Sequence, residues 1–322
     1  SSTMGVILMA LARSGGVDPV LTAGVVLSGV YFGDRCSPAS SAASLVAAVT
    51  DTDLYRNVRK MLLTGLLPTL LTLGLYVFLS LRNPLERMDA AVLSALEGNF
   101  SISWTALLPA AVMFLLPLCK VPIKLAMGGS IAVAAVLAVA VQGVSPWQVL
   151  TAAWSGYHPA DTALNAVLGG GGVTSMMVSY VIVILTGLYS GILEGTGDLE
   201  PLQHKAESLA GKMGRFPAMI VVSALTAMVL CNQAVTSILS EQLLRRSYDD
   251  REELAMDIEN SGILISGLVP WSIACSIPLA MLGADYGAVG YAFLLWLIPI
   301  CYVFTKRFFY PPQGSGAMKV TF

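Results

Sequence analysis

Charged residues are scarce in this sequence, and their scarcity excludes an ordinary soluble domain. Asp, Glu, Lys and Arg make up 12% of the 322 residues, about half of the roughly 25% that soluble globular proteins carry. Hydrophobic residues make up 56%, and the mean hydropathy is +0.74. Apolar runs near bilayer length recur and are apolar all round, so they lack the wet face that a soluble helical array needs. The sequence therefore predicts an all-α, polytopic membrane protein.

Cysteine frameworks, charge blocks and nucleotide-binding motifs are also lacking. The five cysteines follow neither disulfide-framework nor zinc-ligand spacing, so we interpret them as small buried apolar residues. The net charge of −2 includes no block of like charge, so nucleic acid is not an implied partner. The glycine run 169–172 is not followed by Lys and Ser or Thr, which excludes a phosphate loop. Nothing in the sequence implies a bound cofactor.

About nine or ten apolar segments are predicted to contact the lipid bilayer. They are Met4–Leu11, Val20–Phe32, Met61–Leu79, Trp104–Leu118, Leu125–Val141, Val173–Leu193, Phe216–Val229 with Ala234–Leu244, Ile263–Leu282 and Ala288–Phe304. Val149–Leu168 carries several polar residues and suits a re-entrant segment better. We expect one transmembrane domain over residues 1–310 with a short polar tail, 311–322. Because the chain begins Ser-Ser-Thr, we also expect the natural protein to extend further toward the N-terminus.

Polar stretches between these segments are interpreted as loops. They are Thr50–Lys60, Leu81–Asn99, Gly195–Arg215 and Arg245–Asp257. The last carries charges of both signs, which is typical of a solvated linker between helices. Lys306 and Arg307 follow the final apolar run, so the positive-inside rule predicts a cytoplasmic C-terminus.

The first predicted helix break is Gly33–Ser44. In hydrocarbon every backbone group must be paired, so a break is tolerated only where protein or a water-filled cavity covers it. Asp34 can supply the negative charge that a bound cation needs, and Arg35 is expected to pair with it. Neutral oxygen ligands are available from Ser37, Ser40, Ser41 and Ser44. The alternative is that Asp34 and Arg35 form an ion pair at a helix end near the membrane surface.

The second predicted break is Cys231–Ser237. Asn232 and Gln233 stand side by side in an apolar stretch, where unpaired amides would cost several kcal/mol. Their carbonyl oxygens and the Thr236 hydroxyl can bind a hard cation or a polar solute. The alternative is that they form hydrogen bonds between helices.

The third predicted break joins Glu259–Gly262 to Gly267 and Pro270, which can unwind a helix. Glu259 is expected to lie at its mouth, with Asn260 beside it. In the alternative interpretation, Glu259 is a favourable acid in the first turn of a helix.

A run of four glycines, 169–172, leads into another apolar segment. Open amide groups at a helix start favour anion binding or close helix contact. Glu194 near the end of that segment is either interfacial or a lone intramembrane carboxylate. The first two breaks lie far apart between apolar half-segments, an arrangement typical of transporters built as inverted repeats.

Several motifs resemble those of the NhaC family of sodium/proton antiporters over roughly residues 1–310. The motifs are an apolar helix ending in Gly33-Asp34 with Ser37-Pro38 after it, Gly171-Gly172 with Ser175-Met176, Gly191–Glu194 with Thr196-Gly197, and Glu259–Gly262 with Leu268–Trp271. The resemblance implies a secondary transporter rather than an enzyme, in a bacterial cell membrane. It also implies additional N-terminal helices, which family members carry.

Three carboxylates that family members commonly have are replaced here. Ser41 stands where an aspartate is common, Asn232 replaces the aspartate of an Asp-Gln pair, and Asn260 replaces the aspartate of a Glu-Asp pair. Ser and Asn cannot exchange a proton with sodium. Only Asp34, Glu194 and Glu259 remain as carriers within the resembling motifs.

The first hypothesis is therefore a Na+/H+ antiporter of NhaC type that works by alternating access. The second is a Na+- or H+-coupled exchanger of small organic anions such as dicarboxylates or hydroxy acids, in which the glycine run and Arg35 face the substrate. A remote alternative is an intramembrane protease, but a convincing second aspartate is lacking. A non-functional fragment is a further hypothesis.

The candidate site residues follow from the breaks and the resemblance. Ion or solute binding is predicted for Asp34, Ser37, Ser40, Ser41, Asn232, Gln233, Thr236, Glu259 and Asn260. Among them Asp34, Ser41 and Asn232 are predicted ligands of a transported Na+. Further candidates are Gly171, Gly172, Ser175 and Glu194. The expected partners are the lipid bilayer, the transported cation or solute, and H+; a homodimer is left open.

Overall fold

The structure is a computed structural model, and its described part is helical. It describes residues 5, 8–9, 11–13, 15–38, 40–83, 98, 100, 103–119, 121–159, 165, 172–175, 177, 180–181, 184–185, 188, 192 and 199–310. The chain divides into two compact units, one of residues 1–18 and 85–182 and the other of residues 19–84 and 183–322. The all-α prediction is confirmed for the described residues. The predicted single domain over 1–310 stays a prediction.

The second unit contains eleven of the described α-helices. They are α1 (Pro19–Cys36), α2 (Ser41–Thr50), α3 (Leu54–Arg82), α8 (Leu199–Met213), α9 (Arg215–Leu230), α10 (Gln233–Leu244), α11 (Arg251–Glu259), α12 (Gly262–Leu268), α13 (Ile273–Leu282), α14 (Ala288–Tyr291) and α15 (Phe293–Phe309). In the first unit the helices are a 3-10 turn at Trp104–Leu107, α4 (Leu108–Leu118), α5 (Ile123–Ala140), α6 (Pro146–Ser155) and α7 (Gly172–Ser175).

The first helix break is confirmed, but it begins later than predicted. Helix α1 continues through Gly33–Cys36 and ends there, because Pro38 disfavours helical backbone in the residue before it. Helix α2 then begins at Ser41. Ser40 caps it, since the Ser40 hydroxyl accepts hydrogen bonds from the backbone N–H groups of Ala42 and Ala43.

The second break is a tight reversal between α9 and α10. Cys231 has a left-handed backbone conformation with φ of 55°, which a non-glycine residue seldom adopts. Asn232 caps α10, and its side-chain oxygen accepts hydrogen bonds from the N–H groups of Ala234 and Val235. The break is therefore only two residues long, and Thr236 lies within the helix.

The third break separates two short helices in the interior of the second unit. In α11, seven of nine residues are buried, and in α12 residues 262–267 are buried. Helices α11 and α12 contact each other and between them contact α1, α2, α3, α9, α10, α13 and α15. The prediction of a solvated linker at Arg245–Asp257 was wrong for its second half. The mixture of charged and apolar residues did not indicate the helix that this half forms. Its Leu254, Ala255 and Met256 are packed in the core.

One described helix is long and apolar enough to cross a bilayer, α3, with a mean hydropathy of 2.0. The joined segment Arg251–Leu268 with Ile273–Leu282 also qualifies, bent by 51° at residues 269–272. Nine or ten segments were predicted. Among the described residues several of these are shorter or broken helices, because caps, prolines and the Cys231 reversal divide them.

Close packing of α1 on α14 depends on Gly24. A methyl group added at Gly24 would lie 2.8 Å from the carbonyl oxygen of Ala288, which the backbone cannot easily relieve. We expect Gly24→Ala to lower the free energy of unfolding by about 1–3 kcal/mol through overpacking. Gly29→Ala on the same helix is the matched control, because nothing lies within 4 Å of that added methyl group. Thermal unfolding of the two purified variants in one detergent measures the difference; equal midpoints would contradict the packing.

Candidate ion-binding site

The Asp34 carboxylate joins the first two helix breaks. Its Oδ1 accepts a hydrogen bond of 2.8 Å from the Ser40 hydroxyl, and its Oδ2 accepts one of 3.0 Å from Gln233 Nε2. Gln233 Nε2 also lies 3.4 Å from the Ile263 carbonyl oxygen, at the start of α12. The first two breaks thus meet at the Asp34 carboxylate, and Gln233 connects them to the start of α12. The ion-binding role predicted for Asp34, Ser40 and Gln233 stays a prediction.

Two helix N-termini lie beside this carboxylate. Ser40 precedes the first residue of the ten-residue helix α2, and Gln233 is the first residue of the twelve-residue helix α10. Helix N-termini carry partial positive charge, which favours a negative group nearby. A carboxylate has about four lone-pair positions, so two accepted hydrogen bonds leave oxygen available to a cation. Asp34 is also only partly buried.

Arg35 forms a second polar centre and does not pair with Asp34 among the ion pairs of the described residues. Its guanidinium is fully buried. It donates to Thr64 Oγ1 on α3 at 2.8 Å and to Asn260 Oδ1 between α11 and α12. The predicted Asp34–Arg35 pair was wrong because adjacent residues of a helix point in different directions. The Asn260 side-chain oxygen therefore already accepts a hydrogen bond from the positively charged Arg35 side chain.

Glu259 does not occupy the first turn of a helix, so that interpretation was wrong. It is the last residue of α11 and is fully buried. Neither carboxylate oxygen has a hydrogen-bond partner among the described residues, and Asn260 Nδ2 and Arg35 Nε also lack one. A helix C-terminus carries partial negative charge and does not stabilise a carboxylate. Glu259 precedes Asn260 in the chain, and its carboxylate lies within electrostatic range of both Arg35 and Asp34.

The remaining predicted residues occupy other positions in the fold. Ser37 lies between α1 and α2 and is half-buried, whereas Ser41 is exposed. Asn232 is buried and its oxygen caps α10. Thr236 is buried one turn further along α10, and its hydroxyl has no hydrogen-bond partner among the described residues. Gly172 and Ser175 begin and end α7 in the first unit; Gly171 and Glu194 lie outside the described residues.

Thr64 and Gly65 were missed by the sequence analysis. Thr64 accepts the Arg35 hydrogen bond, and a methyl group added at Gly65 would lie 2.6 Å from Arg35 Nη1. Both residues stand in an unbroken apolar segment, where a lone threonine or glycine carries no functional signal. Only the fold brings them to Arg35.

A cluster of ion pairs around α11 was missed as well. Lys306 on α15 contacts Glu253 at 2.7 Å and also contacts Asp257, which is fully buried. Arg215 contacts Glu253 at 3.2 Å. Tyr248 donates a hydrogen bond of 2.6 Å to Asp257; burial, and then the Asp257 charge, raise the pKa of Tyr248 well above its ordinary value, so this hydroxyl keeps its proton. These contacts hold α11 at Glu253 and Asp257, and Glu259 ends the helix.

Curated relatives cover between 84% and 97% of this chain. The chain is 27% identical over 330 residues to the malate-2H(+)/Na(+)-lactate antiporter of Bacillus subtilis, an alignment that covers 97% of this chain and 70% of the relative. It is 24% identical over 308 residues to the Na(+)/H(+) antiporter NhaC of Alkalihalophilus pseudofirmus, covering 92% and 67%. The arginine/ornithine antiporter ArcD of Halobacterium salinarum is 28% identical over 291 residues, covering 84% and 59%. No solved structure matches the chain significantly.

The resemblance inferred from the motifs is confirmed by a comparison with protein families. The matched region runs from residue 29 to residue 306 and so includes Asp34, Gln233 and Glu259. It begins within α1 and ends within α15, and all three helix breaks fall inside it. This chain belongs to the Na+/H+ antiporter family.

Proposed function

We propose that this protein exchanges sodium for protons by alternating access and that Asp34 binds the transported ion. The observation that carries the proposal is the partly buried Asp34 carboxylate, bonded by Ser40 and Gln233 where two broken helices meet. Hard monovalent cations favour oxygen ligands, and the Asp34 carboxylate supplies them. A proton can occupy the same carboxylate when sodium leaves. This proposal does not need the three replaced carboxylates.

We propose further that the chain spans the membrane several times and contains broken helices. Helix α3 supports this, because it is 29 residues long and exposes Leu66, Leu67 and Leu70. At 1.5 Å per residue it exceeds the roughly 30 Å of a hydrocarbon core. Exposed contiguous leucine surface is costly in water and neutral in lipid. The site then lies where irregular backbone is covered by protein, as a bilayer requires.

Proteoliposomes with an internal pH dye test the exchange. Sodium added outside is expected to change the internal pH, and potassium and choline at the same ionic strength serve as comparisons. An inward-directed sodium gradient should drive protons out, so the interior becomes more alkaline. A protein that is folded and inserted but gives no pH response to sodium, lithium or potassium would exclude cation/proton exchange.

Coupled exchange of a small carboxylate is the second candidate. The relative named as a malate-2H(+)/Na(+)-lactate antiporter, which aligns over 97% of this chain, favours it. Asn232 and Asn260 carry no charge that would repel an anion, in contrast to the aspartates common at these positions in the resembling family. Uptake of labelled malate or lactate into sodium-loaded proteoliposomes distinguishes the candidates: uptake that needs a sodium or proton gradient supports this one, and its absence supports inorganic cation exchange.

A further inference from the structure

Arg35 is a permanent positive charge beside the candidate cation site. A guanidinium keeps its proton in proteins, and this one is fully buried. It follows Asp34 directly in the chain and is fixed by Thr64 and Asn260, on two other elements. Gly65 leaves the space that its Nη1 atom occupies. The charge therefore cannot move away from the site without breaking two buried hydrogen bonds.

The position of Arg35 affects ions of different charge unequally. Its repulsion of an ion at Asp34 grows in proportion to the charge of that ion, so a divalent cation is repelled twice as strongly as sodium. A divalent cation also loses more hydration energy on entering a partly buried site, because small doubly charged ions release water reluctantly. The Arg35 charge weakens the attraction that the Asp34 carboxylate offers to compensate for that loss.

We propose that Arg35 is a specificity-determining residue that restricts the Asp34 site to monovalent cations. This inference rests on the proposed cation site at Asp34. Asn260 has a defined part in it: its neutral amide anchors the guanidinium without adding a negative charge beside it. An aspartate at the same position would keep the hydrogen bond and cancel the charge. The residue pair therefore sets the charge of the site without touching the ion.

Cation-dependent thermal stabilisation of the purified protein tests the inference. NaCl and CaCl2 are titrated at constant ionic strength with choline chloride, and the rise in unfolding temperature gives an apparent affinity for each ion. The variants are Arg35→Gln, which removes the charge, Asn260→Asp, which cancels it with little change of shape, and Arg35→Lys, which keeps it. Asp34→Asn shows how much of any stabilisation depends on ion binding at Asp34.

Both charge-altering variants are expected to bind calcium more tightly relative to sodium. For charges roughly 10 Å apart at an effective dielectric constant of about 20, the calcium-to-sodium preference should rise about tenfold. Arg35→Lys should keep the preference of the unmodified protein, even where its apparent sodium affinity falls. If Arg35 only held helices together, lysine and glutamine would destabilise alike and leave the ion preference unchanged.

Three results would overturn the inference. One is an unchanged ion preference in Asn260→Asp, which decides the question even if Arg35→Gln does not fold. Another is a rise in Arg35→Lys equal to that in Arg35→Gln. The third is sodium stabilisation that persists in Asp34→Asn at the level of the unmodified protein. That result would show that sodium does not bind at Asp34, and only the Asp34→Asn variant can reveal it.

Discussion

Replacing Asp34 by asparagine is expected to lower sodium-dependent proton exchange by at least about a hundredfold. The variant keeps the size of the side chain but removes the charge that attracts the ion and the group that takes the proton. A unit charge about 4 Å away contributes roughly 4 kcal/mol at an effective dielectric constant of 20, which is more than two orders of magnitude in affinity. Initial rates of pH change in proteoliposomes measure the loss, with the amount of inserted protein determined separately.

Ser40→Ala and Gln233→Leu are expected to lower exchange less than Asp34→Asn does. Each removes one hydrogen bond to the Asp34 carboxylate while leaving its charge. Hydrogen bonds to charged groups contribute about 1.5–3 kcal/mol, so the sodium concentration for half-maximal rate should rise roughly tenfold or more, with exchange still measurable. Exchange in Asp34→Asn at the level of these two variants would mean that another group carries the ion.

Replacing Lys306 by methionine is expected to lower the free energy of unfolding by about 3–5 kcal/mol, because it leaves the buried Asp257 carboxylate without a counter-charge. Lys306 contacts Glu253 and Asp257, and Asp257 is fully buried. Methionine fills similar space, so the loss reports on charge rather than on a cavity. Denaturant unfolding in mild detergent, followed by tryptophan fluorescence, measures it.

The double variant Lys306→Met with Asp257→Asn separates this effect from lost packing. It removes the buried carboxylate together with its partner and should recover part of the stability, since a neutral asparagine can still accept the Tyr248 hydrogen bond. Arg307→Met at the neighbouring position serves as the control, because Arg307 is exposed and its replacement should change stability little. A double variant no more stable than Lys306→Met would show that the aliphatic part of Lys306, not its charge, stabilises α11.

The positions of the helix breaks were predictable because their causes are local. Pro38 stops α1, Ser40 caps α2 and Asn232 caps α10, and each acts through residues within four positions along the chain. Asp34 and Gln233 lie on the first two of these breaks, and broken helices of inverted-repeat transporters meet near the bilayer midplane. These features are encoded in short segments, so the sequence alone indicates them.

The partners of the charged residues were not predictable in the same way. Arg35 was expected to pair with Asp34 next to it, but its partners are 29 and 225 positions away. Lys306 was interpreted only as a sign of membrane orientation, although it pairs with Asp257 in the interior. The partner of a buried charged residue is determined by how distant helices pack together, and a local sequence pattern does not indicate that packing.

Calorimetric titration of the purified protein with NaCl tests the central claim most directly, namely that the Asp34 carboxylate binds the transported cation. The account predicts saturable sodium binding with choline chloride as the background salt, and no binding heat in Asp34→Asn. Sodium binding of unchanged affinity in a folded Asp34→Asn protein would contradict the account.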